Sequence, residues 1–404
     1  MHMDRTLLEK LKIGEVGFHK IDNKPDTSAA IELRRAAVSE LTGTKFSHIT
    51  NYSFDVEKVT KRNIENMIGA VAVTLGVAGP LLIKGEYAKG DFYIPLATTE
   101  GALVASAHRG CSVITACEGA NVRIFDDKMT RAPVFRVKDV IGAQRLVEWV
   151  KENFMRMKEK AEGTTHFGKL LSIEPFVAGR NVYLRFAYDT KDAMGMNMVT
   201  IATDAAVDMI LEENKAELVA LSGNMCTDKK PAAINAITGR GKTVSADVVL
   251  TNEIIQEKLK TTPEKMADVN YRKNLVGSAR AGSLGFNAHA ANIVAAIFIA
   301  CGQDPAHVVE ASNAMTLMEL TDDGLYCSVT LPSLALGTVG GGTVIGAQHE
   351  CLSMLGVAGG GDPPGANSKK FAEIVAAAVL AGEISLIGAL AARHLAKAHA
   401  ELGR

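Results

Sequence analysis

The sequence predicts an α+β protein built from three units, on three observations. Residues 1–64 are rich in Lys, Glu and Asp, and residues 31–42 carry apolar side chains at helical spacing. From residue 65 onward the chain is rich in glycine and small or β-branched residues, which is typical of strands and tight turns. Residues 132–221 show the order strand, helix, three strands and helix, which favours an antiparallel module over a doubly wound sheet.

The remaining elements follow in chain order. A strand at 93–96 precedes a helix at 102–108; Thr98 or Thr99 would cap this helix and Glu100 would lie in its first turn. Inside the antiparallel module we expect a strand, a helix, three strands and a helix at 132–137, 141–162, 170–175, 181–188, 196–201 and 204–215. Helices are predicted at 287–301, 305–317 and 368–402, the last of them buried and either continuous or broken near Gly382 and Gly388.

Composition excludes several classes of function. A net charge of −1 and 5% aromatic residues argue against binding to nucleic acid or to an acidic membrane surface. The six cysteines contain no C-x-x-C, which argues against a disulfide framework or a zinc site and favours a reducing cytoplasm. The longest apolar run, 290–301, is shorter than the ~20 residues of a spanning helix. We therefore expect a soluble, cytoplasmic protein without a metal or a membrane anchor.

A polar loop at 222–231 separates two apolar segments. Asp228, Lys229 and Lys230 stand next to each other before Pro231, and proline favours an extended residue before it. Two ammonium groups and a carboxylate on such a loop suit an anionic substrate and a developing oxyanion. A solvated, charged turn explains the same residues, and the loop alone does not separate these two interpretations.

Other motifs narrow the chemistry without naming a reaction. A G-x-G-x-x-G fingerprint after a strand is absent, and the run 239–243 lacks the first glycine of a phosphate-binding P-loop because Ala236 stands there. The glycine loop 337–343 offers exposed N–H groups to a ligand, although a purely structural turn is an equal alternative. Glu100, Asp304 and His399 complete the set of candidates.

Taken together, several segments resemble the 3-hydroxy-3-methylglutaryl-CoA (HMG-CoA) reductase family. They read ENMIG at 65–69, TTEGALVAS at 98–106, DAMGMNM at 192–198, SGNMCTDKKPAAINAITGRGK at 222–242, NAHAANIVAAIFIACGQD at 287–304, GTVGGGT at 337–343 and LAARHLAKAH at 390–399. The DKKP form of the loop is similar to class I enzymes, and the expected protein is a soluble archaeal-type member.

The resemblance implies an architecture and an assembly. A large HMG-CoA-binding domain would comprise 65–131 and 222–404, and a small ferredoxin-like NADP-binding domain would be inserted at 132–221. Residues 1–64 would form a helical N-terminal domain. The active site of the family lies between two subunits, which implies a homodimer and, for class I, a homotetramer. The regulatory phosphoserine of animal members would lie beyond Arg404, so that control is expected to be absent.

The resemblance also implies roles in a four-electron reduction of HMG-CoA by two NADPH to mevalonate and CoA. Lys229 would stabilise the thioester oxyanion, and His399 would protonate the departing thiolate. Glu100 would donate the second proton, and Asp304 would couple Lys229 to Glu100.

Matching positions imply two sets of binding residues. The substrate set, for HMG and CoA, is Arg131, Ser222, Asp228, Lys230, Asn292, Ser106, His108 and Arg109. The cofactor set is Asp192, Met194, Gly195, Met196, Asn197, Gly340, Gly341, Gly342, Thr165, His166, Arg180 and Asn181.

Some positions depart from the family pattern. His166 stands where many NADPH-using members carry arginine, which leaves NADH possible as the cofactor and oxidation of mevalonate with NAD⁺ as an alternative direction. His108 replaces an asparagine, Arg393 a glycine, and Ala398 a serine. A CoA-thioester sensor without chemistry, and an acyltransferase using Cys226 or Cys301, are further alternatives.

Overall fold

The computed structural model describes residues 4–21 and 26–393, and all structural statements concern these residues. The N-terminal unit contains three helices, α1 Arg5–Lys12, α2 Thr27–Thr42 and α3 Val56–Arg62. Each begins at an aspartate, Asp4, Asp26 or Asp55, whose carboxylate accepts a hydrogen bond from a first-turn N–H. The helix predicted at 31–42 is confirmed within α2, which ends at Gly43 in the left-handed conformation.

Two strands, a helix and a long strand follow. They are β1 Leu75–Lys84, β2 Lys89–Ala97, α4 Leu103–Ala116 and β3 Ala120–Arg131. The predicted cap at Thr98 or Thr99 is wrong, because Ala102 in the left-handed conformation precedes α4 and makes no side-chain capping bond. Glu100 therefore lies in the turn before the helix and not in its first turn.

The segment that follows alternates strands and helices. Its elements are β4 Val134–Arg136, α5 Val140–Glu152, α6 Phe154–Glu162, β5 Lys169–Ala178, β6 Asn181–Asp189, α7 Met196–Glu213 and β7 Glu217–Ala220. The single helix predicted at 141–162 is divided at Asn153, whose side chain bonds the carbonyl of Trp149. The strand predicted at 196–201 is wrong, since these residues form the first turns of α7.

Besides π-helices at Ile255–Leu259 and Asn270–Gly277, the rest of the chain contributes eight α-helices and three strands. They are α8 Ala233–Thr238, β8 Gly241–Thr251, α9 Asn252–Ile254, α10 Pro263–Val269, α11 Ser278–Ala281, α12 Ala290–Ala300, α13 Val308–Ala311, β9 Met315–Thr321, β10 Gly324–Leu334, α14 Gly346–Met354 and α15 Ala366–Ala391. The helix predicted at 305–317 is wrong: a 3-10 turn, Pro305–His307, leads into α13, and β9 then pairs with β10.

All ten strands belong to one sheet, and seven of them follow the order β7-β4-β6-β3-β8-β10-β9. In addition, β5 pairs with β6, and β1 pairs with both β2 and β3. Every pairing is antiparallel except the short β1–β3 contact. The long strand β3 connects the two halves, because its first part pairs with β8 and its last residues, from Met129 to Arg131, pair with β6. The prediction of a mixed fold with an antiparallel sheet is confirmed.

Three apolar clusters form the core, one in each predicted unit. The largest packs α15, α12 and α4 against β1, β8 and β10; a second lies mainly within 129–210, and a small one holds α1 to α2. The division into three domains stays a prediction.

Helix α15 is the central helix of the largest cluster. It runs without a break through Gly382 and Gly388, and the predicted burial is confirmed for its described length. It is long and apolar enough to cross a membrane, but 83% of its most apolar stretch is buried inside the protein, as in the core helix of a soluble protein. Its buried acids are satisfied: Glu373 accepts hydrogen bonds from three backbone N–H groups, and Glu383 accepts from two and from the Thr316 hydroxyl.

Candidate active site

An ion pair joins two of the residues predicted to be catalytic. Lys229 Nζ lies 2.8 Å from Asp304 Oδ2, and their side chains are 44% and 32% exposed. Asp304 follows α12 and caps the turn Pro305–His307, where its carboxylate accepts a hydrogen bond from Ala306 N at 3.0 Å. The pair is thus held from the aspartate side and remains open to a small ligand.

Each member of this pair stabilises the charged form of the other. The hydrogen bond from Lys229 to Asp304, together with nearby negative charge, raises the pKa of Lys229 above its usual value. Burial by itself would raise the pKa of Asp304, but Lys229, the Ala306 N–H and His307 outweigh it and lower that pKa. At neutral pH the site therefore holds an ammonium group beside a carboxylate.

The loop that carries Lys229 has an unusual backbone. Asn224, Thr227 and Lys229 have φ values of 64°, 49° and 58°, a region that residues other than glycine seldom occupy. Such residues cost on the order of 1–3 kcal/mol each and persist where their surroundings hold them. Here the Asn235 side chain bonds the carbonyl of Thr227, and the N–H of Lys229 donates to Glu310 Oε1 at 3.3 Å. The predicted loop is confirmed, and it is anchored at several points.

A buried group of charged side chains lies behind Lys229, and the sequence did not indicate it. Arg240 and Glu310 are fully buried and form an ion pair at 2.5 Å. Arg240 also bonds Asp228 Oδ1 at 2.9 Å, and His307 Nδ1 lies 2.9 Å from Glu310 Oε1. No signal in the sequence indicates this group, because isolated charged residues between small residues are as typical of a protein surface as of a buried cluster.

Three members of this group have the donor types of a metal site. Donor atoms of Asp228, His307 and Glu310 lie within 4.8 Å of one another. The Arg240 guanidinium already bonds both carboxylates, so it supplies the positive charge that a cation would otherwise bring.

A cleft of about 650 Å³ lies next to Asp304, a size typical of small-molecule sites. The glycine loop after β10 and the start of α7 form much of its wall. Seven residues of the predicted cofactor set line it: Met194, Gly195, Met196, Asn197, Gly340, Gly341 and Gly342. Asn63, Gln303 and Gln348 also line it and were not predicted.

The cleft presents features suited to an anion. Helix α7 has 18 residues and begins after Gly195 without a side-chain cap, so N–H groups of its first turn are available. The positive end of its dipole faces the same space. Gly340 and Gly341 have positive φ, and a side chain at either would meet open space. A phosphate-bearing ligand can therefore approach the backbone closely here.

Asp192 is not among the residues that line the cleft, although Ala193 next to it is. Its side chain is buried, and its carboxylate accepts hydrogen bonds from the N–H groups of Gly361, Gly365 and Ser368 at 2.7–2.9 Å. These contacts tie the turn before α7 to the start of α15. Both carboxylate oxygens of Asp192 thus accept hydrogen bonds from within the protein.

The other four predicted cofactor residues lie in two places. Thr165 Oγ1 is 3.1 Å from the sulfur of Met198, which lines the cleft, and exposed His166 follows it. Arg180 and Asn181 lie at the hairpin turn between β5 and β6, and the other end of this strand pair, at Lys169 and Asp189, is the one that leads to the cleft. A strand of this length spans about 30 Å, so the structure does not bring Arg180 and Asn181 to the cleft.

Glu100 is not joined to the Lys229–Asp304 pair within the described chain. Its N–H bonds Thr98 Oγ1, and its carboxylate accepts a hydrogen bond from Asn292 at 3.3 Å. It lines a separate open groove of about 340 Å³. The predicted coupling of Glu100 to Asp304 is therefore not formed inside one described chain, whereas the structure places Asn292, a predicted substrate residue, next to Glu100.

Two of the residues predicted to bind CoA connect helices. Ser106 Oγ lies 2.9 Å from Ser385 Oγ, and Arg109 donates hydrogen bonds to the hydroxyl and the carbonyl of Ser385. These contacts hold α4 against α15. His108 is exposed on the same helix. Ser106 and Arg109 thus have structural partners, and a role in CoA binding stays a prediction for all three.

Most of the remaining predicted substrate residues lie on the loop 222–231. Arg131 ends β3, and its Nε is buried without a hydrogen-bond partner among the described residues. Ser222 Oγ lies 3.4 Å from the sulfur of Cys226, and Lys230 Nζ bonds the carbonyl of Asp228. His399 and Ala398 lie outside the described residues, which end at Arg393.

A lysine paired with an aspartate lies beside a cleft whose backbone N–H groups suit an anion, and comparison with known proteins identifies the class as an oxidoreductase. The sequence model of the hydroxymethylglutaryl-coenzyme A reductase family matches residues 30–404. The chain belongs to this family, which acts in the mevalonate pathway.

Individual relatives cover nearly the whole chain. It is 57% identical to the 3-hydroxy-3-methylglutaryl-coenzyme A reductase of Pyrococcus abyssi, over 98% of this chain and 99% of that one. It is 56% identical to the enzyme of the same name from Methanocaldococcus jannaschii, over 98% of each. The predicted family is confirmed.

The fold is also shared with solved structures. A class II 3-hydroxy-3-methylglutaryl-CoA reductase from Streptococcus pneumoniae, bound to NADPH in open conformations, has a TM-score of 0.66 at 17% identity and covers 93% of this chain and 100% of that one. A second structure of the reductase from the same organism has a TM-score of 0.67. At this identity the likeness supports the fold alone.

Proposed function

We propose that this protein reduces HMG-CoA to mevalonate and CoA with two molecules of NADPH. The observation that carries the proposal is the position of Asp304, which lines the cleft and also holds Lys229 at 2.8 Å. A fixed cation therefore stands at the edge of a space suited to a phosphate-bearing cofactor. A reduction of a thioester requires this combination, because negative charge develops on the carbonyl oxygen.

Lys229 acts on that oxygen in our proposal. Its ammonium is kept charged by Asp304 and stands on a loop with a constrained backbone, so little reorganisation is needed as the oxyanion forms. After the hemithioacetal collapses, His399 protonates the CoA thiolate. Glu100, oriented by Asn292, gives the proton to the aldehyde oxygen in the second reduction. Arg131, Ser222, Asp228 and Lys230 hold the HMG end.

The residues of the cleft fit a dinucleotide cofactor. The uncapped start of α7 and the open glycines at 340 and 341 supply N–H groups for a diphosphate. When bound, the nicotinamide supplies the reducing equivalents. Thr165 contacts Met198 at the border of the cleft, and His166 follows Thr165 in the chain. In our proposal these two residues contact the additional phosphate of NADPH. Because this chain carries histidine at position 166, where many NADPH-using members carry arginine, we propose NADPH with NADH as a weaker substitute.

We further propose a class I, archaeal-type enzyme in the cytoplasm. The strand order β7-β4-β6-β5 and the single apolar cluster support a ferredoxin-like NADP-binding domain at 132–221, inserted in a large HMG-CoA-binding domain. Among the described residues Glu100 contacts Thr98 and Asn292 but not the Lys229–Asp304 pair, which supports an active site shared between two chains, in a homodimer or homotetramer. CoA would lie along α4, near Ser106, His108 and Arg109.

A single assay tests the activity. Purified protein with HMG-CoA should oxidise two NADPH for each free thiol released, and the same mixture with NADH should react more slowly. Absence of both NADPH oxidation and thiol release would overturn the proposal. Binding of HMG-CoA by calorimetry without turnover would instead indicate a sensor. Running the assay with mevalonate, CoA and NAD⁺ measures the reverse direction.

Chemistry at a cysteine is disfavoured by burial. Cys301 is fully buried, and this burial raises the pKa of its thiol, so the nucleophilic thiolate is suppressed. Cys226 is also buried. Turnover that persists after treatment with iodoacetamide would exclude an acyltransferase that uses either residue.

A further inference from the structure

Glu310 is a buried acid that the reaction described above does not use. Its side chain is fully buried, and three nitrogen atoms converge on its Oε1: Arg240 Nη1 at 2.5 Å, His307 Nδ1 at 2.9 Å and the backbone N–H of Lys229 at 3.3 Å. His307 Nδ1 also lies 3.3 Å from Arg240 Nη1, so the acid, the guanidinium and the imidazole form one buried cluster. The second oxygen of Glu310 has no hydrogen-bond partner among the described residues.

Arg240 extends these contacts in two directions. Its Nη2 bonds Asp228 Oδ1 at 2.9 Å and also lies 2.8 Å from the sulfur of Met196, the first residue of α7. A single guanidinium therefore connects the loop of Lys229 to the helix start at the cleft. A planar fork with five donors can make such contacts at once, whereas a lysine would supply only a point charge.

His307 lies close to three carboxylates, those of Glu310, Asp304 and Asp228. It is fully buried, its Nδ1 faces Glu310, and its Nε2 lies 3.7 Å from Asp304 Oδ2 and 3.8 Å from Asp228 Oδ1. Neither of these two contacts is a hydrogen bond, and Nε2 has no hydrogen-bond partner among the described residues. Asp304 is hydrogen-bonded to Lys229 and Ala306 instead.

The side chain of Lys229 is partly exposed, so contacts of its backbone are needed to fix its position. The side chain is 44% exposed, and the residue has a φ of 58°. The described contact that fixes its backbone from inside the protein is the bond from its N–H to Glu310. We propose that Glu310 is a positioning residue for the reduction: with Arg240 and His307, it holds the left-handed backbone of Lys229 and so aims the ammonium at the substrate oxygen. This inference rests on the function proposed above.

The test is the Glu310→Gln variant, assayed with saturating HMG-CoA and NADPH. The amide cannot bond these nitrogen atoms with the same strength, so Lys229 should lose its fixed orientation. We expect kcat to fall about tenfold or more, while KM for HMG-CoA and NADPH stays within about threefold, as for an interaction made mainly in the transition state.

A control variant is available on β8. Lys242, two residues after Arg240, is almost fully buried and pairs with Asp127 at 3.0 Å, away from Lys229. Lys242→Met removes this buried ion pair and should change thermal stability without the selective loss of kcat. If Glu310→Gln does not yield folded enzyme, Glu310→Asp replaces it; this variant keeps the charge but withdraws it by one methylene and should lower kcat about threefold or more.

Three results would be decisive. A selective fall of kcat in the Glu310 variant supports the inference. A kcat per folded enzyme equal to that of wild type, or one lowered to the same extent in Lys242→Met, overturns it. Inactive wild-type enzyme would instead overturn the proposed function and the inference together, and the wild-type assay alone distinguishes that case.

Discussion

Lys229 and Asp304 form an ion pair whose geometry is repeated elsewhere on the protein. The Nζ–Oδ2 distance is 2.8 Å and the lysine is 44% exposed; Lys10 and Glu15, in the N-terminal unit, also lie 2.8 Å apart with the lysine 44% exposed. The pairs differ in their surroundings. Behind Lys229 stand a constrained backbone and a buried charged group, and beside Asp304 lies the cleft. Distance alone therefore does not define the site.

This similarity provides a controlled mutation. Lys229→Ala should reduce kcat/KM for HMG-CoA reduction by about a thousandfold or more, because the oxyanion loses its cation. Lys10→Ala, which removes a pair of equal length and exposure, should leave activity unchanged. Lys229→Ala should alter the free energy of unfolding by about 1 kcal/mol or less, as expected for an exposed pair. Activity retained in Lys229→Ala would remove Lys229 from the mechanism.

The same pair should produce a defined pH dependence of stability. The folded protein lowers the pKa of Asp304, so its contribution is complete above the unfolded-state value of about 3.9 and is lost as the pH falls through the folded value. The pKa of Lys229 is raised, so its contribution is complete below about pH 10.4 and is lost as the pH rises through the folded value. Urea unfolding of wild type and Asp304→Asn should differ by a constant amount between these limits and converge beyond them. Parallel curves at all pH values would contradict this.

The glycine loop offers a test of cofactor binding. Gly340 has a φ of 76°, and Gly14, in the N-terminal unit, has the same φ; neither has an atom near the position of a Cβ. Alanine at either site should cost about 1–2 kcal/mol of backbone strain. Only Gly340→Ala places a methyl group in the cleft, and we expect it alone to raise KM for NADPH about tenfold. Equal KM values in the two variants would separate this loop from the cofactor.

Asp192 should behave as a structural residue. In Asp192→Asn the amide NH₂ group would face one or two of the three N–H donors from Gly361, Gly365 and Ser368. We expect a loss of about 1–3 kcal/mol in the free energy of unfolding. NADPH binding, measured by fluorescence titration, should decrease only in proportion to the fraction of unfolded protein. A large loss of NADPH affinity in fully folded protein would show instead that Asp192 contacts the cofactor.

The crossing of α4 and α15 depends on Gly110. A Cβ built there would lie 1.9 Å from the carbonyl oxygen of Ala381, which belongs to the backbone and cannot turn aside. Gly110→Ala should therefore destabilise the protein by about 3 kcal/mol or more. In Gly142→Ala, on α5, the nearest atom is 3.4 Å away, and the variant should be neutral or slightly more stable. Thermal unfolding of both variants measures the difference, and similar melting temperatures would mean that the helices separate easily.

Several features of this protein can be predicted from its sequence, because they depend on residues that are neighbours along the chain. Helix α2 was predicted from its apolar spacing, and its cap at Asp26 and end at Gly43 are equally local. The loop at 222–231 was predicted from Gly223 and Pro231. The cleft-lining segments 194–197 and 340–342 were recognised as family motifs, and they meet in one place.

The tertiary structure decided what no local pattern contains. Residues 196–201 join a helix although their β-branched and Met-rich pattern favours a strand, and residues 315–317 join a strand because β10 provides a partner. The burial of Arg240 and Glu310, the three N–H groups gathered by Asp192, and the separation of Glu100 from Lys229 all arise from contacts between residues far apart in sequence. A side chain's type and spacing limit what it can do, but the charge or hydrogen bond that it meets is set by the packing of distant elements.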